Sequence, residues 1–279
     1  MKRAVRIVLL LVLLLGVWAV GIEPRWVAAR RIEYRVPGWQ RPPLKVAVAS
    51  DWHISNQALW RVMTRERAAR IVDAINAAQP DVVLLPGDFI SGVGDPGRRG
   101  EPDGEEIAAI LGRLRAPLGV YAVLGNHEWW AGQVPRFRGA LERRGIHVLE
   151  NAARPIDAGL WVAGVGDVQT GHSRPVAAMA QVPAQAHALV LMHDPGSLVE
   201  MPPVRGLAVA GHTHGGQVAL PFLGAVLAPP RLPRAWSYGW VEHGGVQAWV
   251  TSGLGVSILP VRFWRRPEWV LFVLDAAVG

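Results

Sequence analysis

Five short motifs in the chain contain carboxylate, amide and imidazole side chains, which bind divalent metal ions without help from cysteine. Each motif follows a short apolar run of the kind that forms a buried strand. In chain order they are Asp51-Trp52-His53, Gly87-Asp88, Gly125-Asn126-His127-Glu128, His193-Asp194 and Gly211-His212-Thr213-His214. Two divalent ions held close together generate hydroxide at neutral pH and stabilise a phosphoryl displacement. The ordered set therefore predicts a two-metal hydrolytic site, with Mn²⁺, Fe²⁺, Zn²⁺ or Mg²⁺ as candidate ions.

Each motif alone is a weak signal. Asp51 and His53 are two residues apart, and in an extended strand such positions point the same way, so both could reach one ion. Asp88 follows a glycine at a strand end, a position that more often holds a turn or helix-capping residue. An isolated histidine such as His212 or His214 is more often a hydrogen-bonded core residue. Five such motifs at five strand ends are hard to attribute to coincidence, and together they favour one joint site.

The segments between the motifs predict the elements that position them. In the first half, apolar strands alternate with helices, including a helix over 61–78 that Pro80 ends. This alternation is typical of a parallel sheet covered by helices. In the second half, short strands follow one another with fewer helices between them, which predicts a second sheet with antiparallel pairing packed against the first. The motifs would then lie at the edge where open α/β sheets hold their ligands.

The ordered motifs resemble the signature of the calcineurin-like metallophosphoesterase superfamily, which is D-x-H, G-D, G-N-H-[DE], a later H, and G-H-x-H. The match extends from Leu44 to about Leu274, and every ligand position is filled. The resemblance implies an α/β fold, a four-layer α/β/β/α sandwich of two packed mixed sheets. The second half is similar to a narrower bacterial, often membrane-tethered group, the YkuE/YaeI-like branch. The segments that carry this likeness are His193-Asp194-Pro195, Gly211 to Gln217, Gly253-Leu254-Gly255 and Leu259 to Glu268.

The resemblance also implies a role for each motif residue. One ion would be held by Asp51, His53, Asp88 and His214, and the other by Asp88, Asn126, His193 and His212. Asp88 and a hydroxide would bridge the two ions, and the hydroxide would attack phosphorus. His127 would contact the phosphate and protonate the leaving oxygen or stabilise transition-state charge, because imidazole carries a proton near neutral pH. Glu128 and Asp194 follow ligand residues and are expected to orient imidazoles.

Three further residues are candidates for the substrate side of the site. Trp52 stands where the branch usually carries Leu or Thr, and this departure is expected to reshape the substrate pocket without affecting the metals. Gln217 follows the last motif and Trp129 follows the third. The chain contains thirteen tryptophans, and tryptophan is common at membrane interfaces, where one face is apolar and the indole N–H stays wet.

The N-terminal segment predicts a membrane anchor. Three basic residues precede an unbroken apolar stretch from Ile7 to Ile22, which is longer than a usual signal-peptide core and slightly short for a full span. Bulky Trp18 and the absence of a small-x-small site argue against cleavage, with a cleaved signal peptide as the alternative. We therefore expect an anchor over 1–24, a basic linker over 25–43 and a metallophosphoesterase domain over 44–279.

The net charge of +7 does not indicate a nucleic-acid-binding protein. Residues 1–43 hold eight basic and two acidic residues, whereas the remaining residues hold 21 basic and 20 acidic ones. A domain that tracks DNA concentrates positive charge on its folded body, so a DNA nuclease is disfavoured and no nucleic-acid partner is expected. An inactive scaffold is disfavoured as well, because no ligand residue is missing.

The sequence thus predicts a metal-dependent phosphoester hydrolase tethered to the membrane. Its substrate would be a lipid-linked phosphodiester or pyrophosphate such as UDP-2,3-diacylglucosamine, and the alternative is a general phosphodiesterase or phosphomonoesterase for soluble or cell-wall-derived esters. We expect a single-pass protein of the bacterial inner membrane, with a slight preference for a cytoplasmic domain from the basic residues that flank the apolar stretch. Membrane lipids and the phosphoester are the expected partners, with no obligate protein partner.

Overall fold

The computed structural model describes residues 1–55, 61–91, 103–132, 134–226, 229 and 232–276. The helices in these ranges are α1 (Lys2–Val17), α2 (Arg65–Ala77), α3 (Gly104–Leu111), α4 (Asn126–Trp130), α5 (Val134–Arg143) and α6 (Pro175–Met179). The strands are β1 (Ala28–Val36), β2 (Leu44–Val48), β3 (Val82–Leu85), β4 (Val120–Ala122), β5 (Ile146–Val148), β6 (Ala152–Asp157), β7 (Leu160–Val165), β8 (His187–Met192), β9 (Gly206–Ala210), β10 (Ala219–Leu220), β11 (Gly224–Ala225), β12 (Gly239–His243), β13 (Val246–Val250) and β14 (Glu268–Ala276).

Two six-stranded mixed sheets form the centre of the molecule, as predicted. The first has the order β1-β14-β2-β3-β4-β5, in which β2 to β5 are parallel and β14 is antiparallel to β2. The second has the order β12-β13-β9-β8-β7-β6, with parallel pairs in its middle. Antiparallel pairing in this second sheet is confined to its two edges, β12 with β13 and β6 with β7. The hairpin of β10 and β11 forms a separate small sheet.

The two faces of each sheet bury different sets of apolar side chains, because successive residues of a strand point to opposite sides. Val46 of β2 and Leu189 of β8 meet in the core between the sheets. Ala47, the neighbour of Val46, packs on the opposite face against helical side chains such as Ile71 of α2. The outer face of the second sheet packs against Ala178 of α6. These layers confirm the α/β/β/α sandwich, in which each fully buried Leu or Ile contributes roughly 1.5–3 kcal/mol.

The segment that was predicted to be a linker contains a strand of the first sheet. β1 pairs in parallel with β14 along nine residues, from Ala28 opposite Glu268 to Val36 opposite Ala276. Val36 is buried, and Ile32 and Tyr34 pack partly buried against the core between the sheets. The linker interpretation is therefore wrong over Ala28–Val36, because alternate apolar side chains there cover the edge of the core. The predicted domain start at Leu44 is wrong for the same reason, since the first sheet includes β1, whereas the anchor over 1–24 stays a prediction.

The N-terminal helical segment, Lys2–Arg25, is long and apolar enough to cross a membrane, judged by length and composition, and its apolar window is not buried inside the protein. It continues from α1 through a π-helical turn at Trp18–Ile22 and a 3₁₀ turn at Glu23–Arg25. Only Trp26 and Val27 separate it from β1.

The base of this helix is bonded to the loop that precedes β14. The backbone N–H of Arg262 donates to the carbonyl of Ala19 at 2.9 Å. The buried carboxylate of Glu23 accepts from the backbone N–H of Arg265 and from the indole of Trp18, each at 2.6 Å. The helix is thus fixed to the domain at this end.

Candidate metal centre

Residues from both sheets converge at the carboxyl ends of the strands. Asp51, Asp88 and Asn126 follow β2, β3 and β4 of the first sheet, and His193 and His212 follow β8 and β9 of the second. Three overlapping groups have ligand atoms within 4.8 Å of one another, and they are Asp51-His53-His214, Asp88-His193-His212 and His53-Asp88-His127. The structure therefore brings together the side chains that the five motifs predicted.

The first cluster consists of Asp51, His53 and His214. The Nε2 atom of His214 lies 3.0 Å from His53 Nε2 and 3.6 Å from Asp51 Oδ1. Metal–ligand distances of about 2.0–2.2 Å place neighbouring donor atoms about 3.0–3.5 Å apart, so these separations fit a shared ion. The buried Oδ2 of Asp51 has no hydrogen-bond partner among the described residues, as expected for an oxygen that binds a cation.

The second cluster consists of Asp88, Asn126, His193 and His212. The Nε2 atom of His193 lies 2.9 Å from Asn126 Oδ1, 3.2 Å from His212 Nδ1 and 3.3 Å from Asp88 Oδ2. The same Asp88 oxygen lies 3.5 Å from His53 Nε2 of the first cluster. Asp88 therefore stands between the clusters, within reach of both.

The backbone at the ligands departs from what the sequence suggested. Asp51, His53, Asp88, His212 and His214 all have positive φ angles, between 43° and 66°. Non-glycine residues in this region cost on the order of 1–3 kcal/mol each and are found mainly at functional sites. The argument from an extended strand is therefore wrong for Asp51 and His53, which turn back after β2. Their side chains nevertheless converge, because the turn after β2 orients both of them toward the same point.

Two motif glycines are required by close approach. A Cβ atom on Gly125 would collide with the carboxylate of Asp88, and a Cβ on Gly211 would collide with the side chains of Ser50 and Asp51. Any larger residue would push a carboxylate out of its cluster. The glycines of the third and fifth motifs thus allow the two sheets to bring their ligands together.

Burial and mutual charge shift the pKa values of the ligands. Burial raises the pKa of Asp51 to about 7 and lowers that of His53 to about 3. Burial opposes the charged forms of Asp88 and His193 too, but their attraction outweighs it. The pKa of Asp88 is consequently held well below its usual range, and that of His193 well above. Protons and cations compete for such a set of groups, so a bound metal ion would displace protons from it.

Glu128 organises a turn of the backbone. Its buried carboxylate accepts hydrogen bonds from the backbone N–H groups of Gly125, Asp88, Phe89 and Ile90, at 2.8–3.2 Å. Burial and the nearby Asp88 charge raise its pKa to about 8. The expectation that Glu128 orients an imidazole is wrong, since its contacts fix the turn that presents Asp88.

Asp194 does lie beside an imidazole. Its Oδ2 atom is 3.7 Å from His212 Nε2, and the carboxylate also accepts from the side chain of Gln169 and the backbone of Gly196, each at 2.7 Å. His193 is oriented differently, because its Nδ1 lies 2.7 Å from the carbonyl of Pro86. That contact leaves His193 Nε2 facing the cluster.

His127 lies between the clusters and at the rim of the site. Its Nδ1 is 3.0 Å from the carbonyl of Ser91, and its Nε2 is 3.8 Å from Asp88 Oδ2. Only a small part of the side chain is exposed, 12%. A proton on Nδ1 that is donated to Ser91 leaves Nε2 directed into the site.

Two of the three residues predicted to contact substrate have other roles in the structure. Trp52 is completely buried in the core, and its indole donates to the carbonyl of Ala49. A substrate contact is therefore wrong for Trp52. The side chain of Gln217 donates to the carbonyl of Leu259 and accepts from the backbone N–H of Ser257, so its polar atoms already hold the neighbouring loop.

Trp129 remains a candidate at the rim. It is half-buried and stacks on His172, with ring centroids 3.5 Å apart and planes 13° apart. A substrate contact by Trp129 stays a prediction.

Arg262 lies beside the first cluster, and the sequence motifs predict no role for it. It is completely buried, and its guanidinium donates to the carbonyls of Ser252, Gly253, Gly255 and Arg265 while lying 3.4 Å from His214 Nδ1. Burial lowers its pKa to about 10. Because Gly253 and Gly255 press against Asp51 and His53, Arg262 fixes the turn behind the first cluster. Its sequence signal is its place in the segment Leu259 to Glu268, which carries the likeness to the YkuE/YaeI-like branch.

Comparison with known proteins agrees with this geometry. The sequence model of a family described as calcineurin-like phosphoesterase matches residues 44–216, which include every predicted ligand. The metallophosphoesterase YkuE of Bacillus subtilis is 26% identical, over 83% of this chain and 79% of that protein. The phosphodiesterase YaeI of Escherichia coli is 28% identical, over 88% and 87%. A Bos taurus transmembrane protein with a metallophosphoesterase domain is 28% identical, over 87% of this chain and 56% of its own length.

Proposed function

Because the chain belongs to the calcineurin-like phosphoesterase family, whose members are metal-dependent phosphoester hydrolases, we propose that it cleaves a lipid-linked phosphodiester or pyrophosphate at a two-metal centre beside a membrane. One observation carries the two-metal part of this proposal. The carboxylate of Asp88 lies within 3.5 Å of an imidazole from each cluster, so one residue can join two adjoining metal sites.

The ligand sets follow from the two clusters. Asp51, His53, Asp88 and His214 would hold one ion, and Asp88, Asn126, His193 and His212 the other. Oxygen and imidazole donors without thiolate suit Mn²⁺, Fe²⁺ or Zn²⁺. When bound, the pair of ions would supply activated water and stabilise charge on the phosphoryl group.

His127 is proposed to be the proton donor. Ser91 holds its Nδ1, so Nε2 is the atom that faces a bound phosphoester. A proton on Nε2 can pass to the leaving oxygen, or can stabilise charge on a phosphoryl oxygen. Trp130, whose ring centroid lies 5.4 Å from that of His127, limits the orientations that the imidazole can take.

Membrane tethering is supported by the N-terminal helix and by the relatives that are named as transmembrane proteins. We place the chain as a single-pass protein in the bacterial inner membrane with its domain on the cytoplasmic side. A substrate with a lipid tail and a phosphoester head would present its reacting group at the surface where the helix leaves the domain. A pyrophosphate such as that of UDP-2,3-diacylglucosamine has this form.

A soluble phosphodiester is the second candidate substrate. It is favoured by the similarity to YaeI, which is named as a phosphodiesterase and which this chain matches over most of its length.

The test is an activity panel on the full chain in lipid nanodiscs, with metal removed and Mn²⁺ then restored. A lipid pyrophosphate, an aryl phosphodiester and an aryl phosphomonoester are compared. We expect metal-dependent turnover that is fastest on the lipid pyrophosphate and about a hundredfold slower in His127→Ala. His243→Ala, which alters an exposed histidine outside both clusters, is the matched control. Preference for the aryl diester would favour the second candidate, and no metal-dependent hydrolysis of any ester would refute both.

A further inference from the structure

An apolar surface lies at the base of the N-terminal helix, and its exposed side chains belong to neither candidate metal cluster. We call it the basal surface, and it consists of the β10–β11 hairpin and the loop 257–264. Its exposed side chains are Leu220, Phe222, Leu223, Ile258, Leu259 and Trp264, with Phe222 108%, Ile258 82% and Trp264 62% exposed. Contiguous apolar patches on a protein surface mark contacts with proteins or membranes.

The hairpin and the loop form one continuous surface because they are hydrogen-bonded to each other. The backbone of Phe263 accepts from Ala219 and donates to Gln217, both at 2.9 Å. The side chain of Gln217 donates to the carbonyl of Leu259 at 3.1 Å. The hairpin and the loop therefore lie side by side. Large apolar side chains are also exposed along the N-terminal helix, between Ile7 and Val17, and at further positions of the domain such as Val176 on α6.

The basal surface begins where the helix leaves the domain. The bonds from Arg262 to Ala19 and from Arg265 to Glu23 join the loop directly to the last turns of the helical segment. A bilayer that contains the helix must therefore meet this face of the domain first. No other face of the described domain is bonded to the helix in this way.

Arginines accompany the apolar tips. A cavity of about 600 Å³ beside the helix base is lined by Trp18, Arg30, Trp264, Arg265 and Arg266, among others. The guanidinium of Arg266 lies 3.9 Å from the ring centroid of Trp26. Arginine and tryptophan together are the side chains that anchor proteins at the level of lipid phosphates.

We propose that the basal surface docks on an anionic lipid bilayer, a contact additional to the helix; the proposal rests on the membrane tethering proposed above. The hairpin tip and the loop 257–264 enter the apolar region, and Arg265 and Arg266 lie at the level of the phosphates. Arg265 also donates from Nε to the carbonyl of Gly215 at 3.0 Å, and Gly215 adjoins the ligand His214. Docking therefore holds the first cluster close to the headgroups, which selects phosphoesters of membrane lipids as substrates.

Site-directed spin labelling tests this docking, because the chain has no cysteine. Labels are placed on Phe222→Cys and Ile258→Cys in the full chain, reconstituted into vesicles of phosphatidylcholine and phosphatidylglycerol. Val176→Cys is the matched control, since Val176 is 59% exposed on α6, and Leu11→Cys reports on the helix. We expect labels at 222 and 258 to be accessible to oxygen and shielded from a soluble nickel complex. The label at 176 should show the reverse pattern.

Labels at 222 and 258 that match the aqueous pattern of 176 would overturn the docking, and the label at 11 would then show separately whether the helix is in the bilayer. Shielding from both reagents would mean that protein, such as a second copy of the chain, covers the surface, which also overturns it. In vesicles of phosphatidylcholine alone we expect shallower labels, and an unchanged depth would refute the part assigned to the arginines.

Discussion

The two candidate metal clusters both lie within reach of Asp88 but differ in the charges behind them. The first is backed by a cation, because the guanidinium of Arg262 lies 3.4 Å from His214 Nδ1. The second is backed by a carboxylate, since Asp194 lies 3.7 Å from His212 Nε2. A nearby carboxylate favours a bound cation and a nearby guanidinium opposes one. The second cluster is therefore expected to hold its ion more tightly, and the first to exchange its ion more readily.

The largest effect is expected at the residue that the clusters share. Asp88→Asn removes the negative charge from both, so both ions should be lost and hydrolysis should fall about a thousandfold or more. Metal content by mass spectrometry and kcat/KM report the two losses, and circular dichroism verifies the fold. If the variant still bound one full equivalent of metal, the two clusters would not depend on a common carboxylate.

Arg262→Gln should destabilise the turn behind the first cluster, and with it the folded protein. The substitution leaves several buried carbonyls without their charged donor, and we expect the free energy of unfolding to fall by roughly 3 kcal/mol. Thermal unfolding measures this loss. Arg266→Gln, in which a more exposed arginine of the same loop changes, is the control. Any loss of metal should be confined to the first cluster, and loss from the second instead would reverse the comparison.

Asp194→Asn should affect the second cluster alone. Removal of a carboxylate that supports a ligating imidazole lowers metal affinity by about 10–100-fold. Isothermal titration calorimetry, in which Mn²⁺ is added to the metal-free protein, resolves the two binding events. We expect the tighter event to weaken and the weaker one to stay as it was. Equal weakening of both events would mean that Asp194 acts on the whole centre.

The smallest effect is expected at Trp52→Leu. Trp52 is wholly buried between two ligands of the first cluster, yet none of its atoms reaches the site opening. We expect a loss of stability of about 1–3 kcal/mol from the smaller side chain and the lost bond to Ala49, with kcat/KM for a soluble ester nearly unchanged. A large change in kcat/KM with normal stability would restore the interpretation of Trp52 as a pocket residue.

The sequence predicted the order of the site but not its backbone. Each ligand follows a buried strand rich in Val, Leu and Ala, so the periodicity placed Asp51, Asp88 and His193 at strand ends. The left-handed turns at Asp51 and His53 could not be predicted, because they depend on contacts with Gly253 and Gly255, about two hundred residues away in the chain.

Two other features were missed for different reasons. The linker prediction overlooks β1, because the arginines of this strand obscure the alternation of Ile32, Tyr34 and Val36, which is a local signal in the sequence. Arg262 could not be recognised, since its role arises only from the carbonyls that surround it in the folded chain. Long-range hydrogen bonding of this kind leaves no periodic trace in a sequence.

The short passage from the N-terminal helix into β1 limits where the enzyme can work. Only Trp26 and Val27 separate the helical turns from a strand that is paired with β14 along its whole length. With the helix in a bilayer, this short connection would keep the domain at the membrane surface. If the substrate is lipid-linked, as proposed, its encounters with the enzyme become a search in two dimensions, and the rate would depend on the surface density of the phosphoester, with lateral diffusion of lipids setting the upper limit.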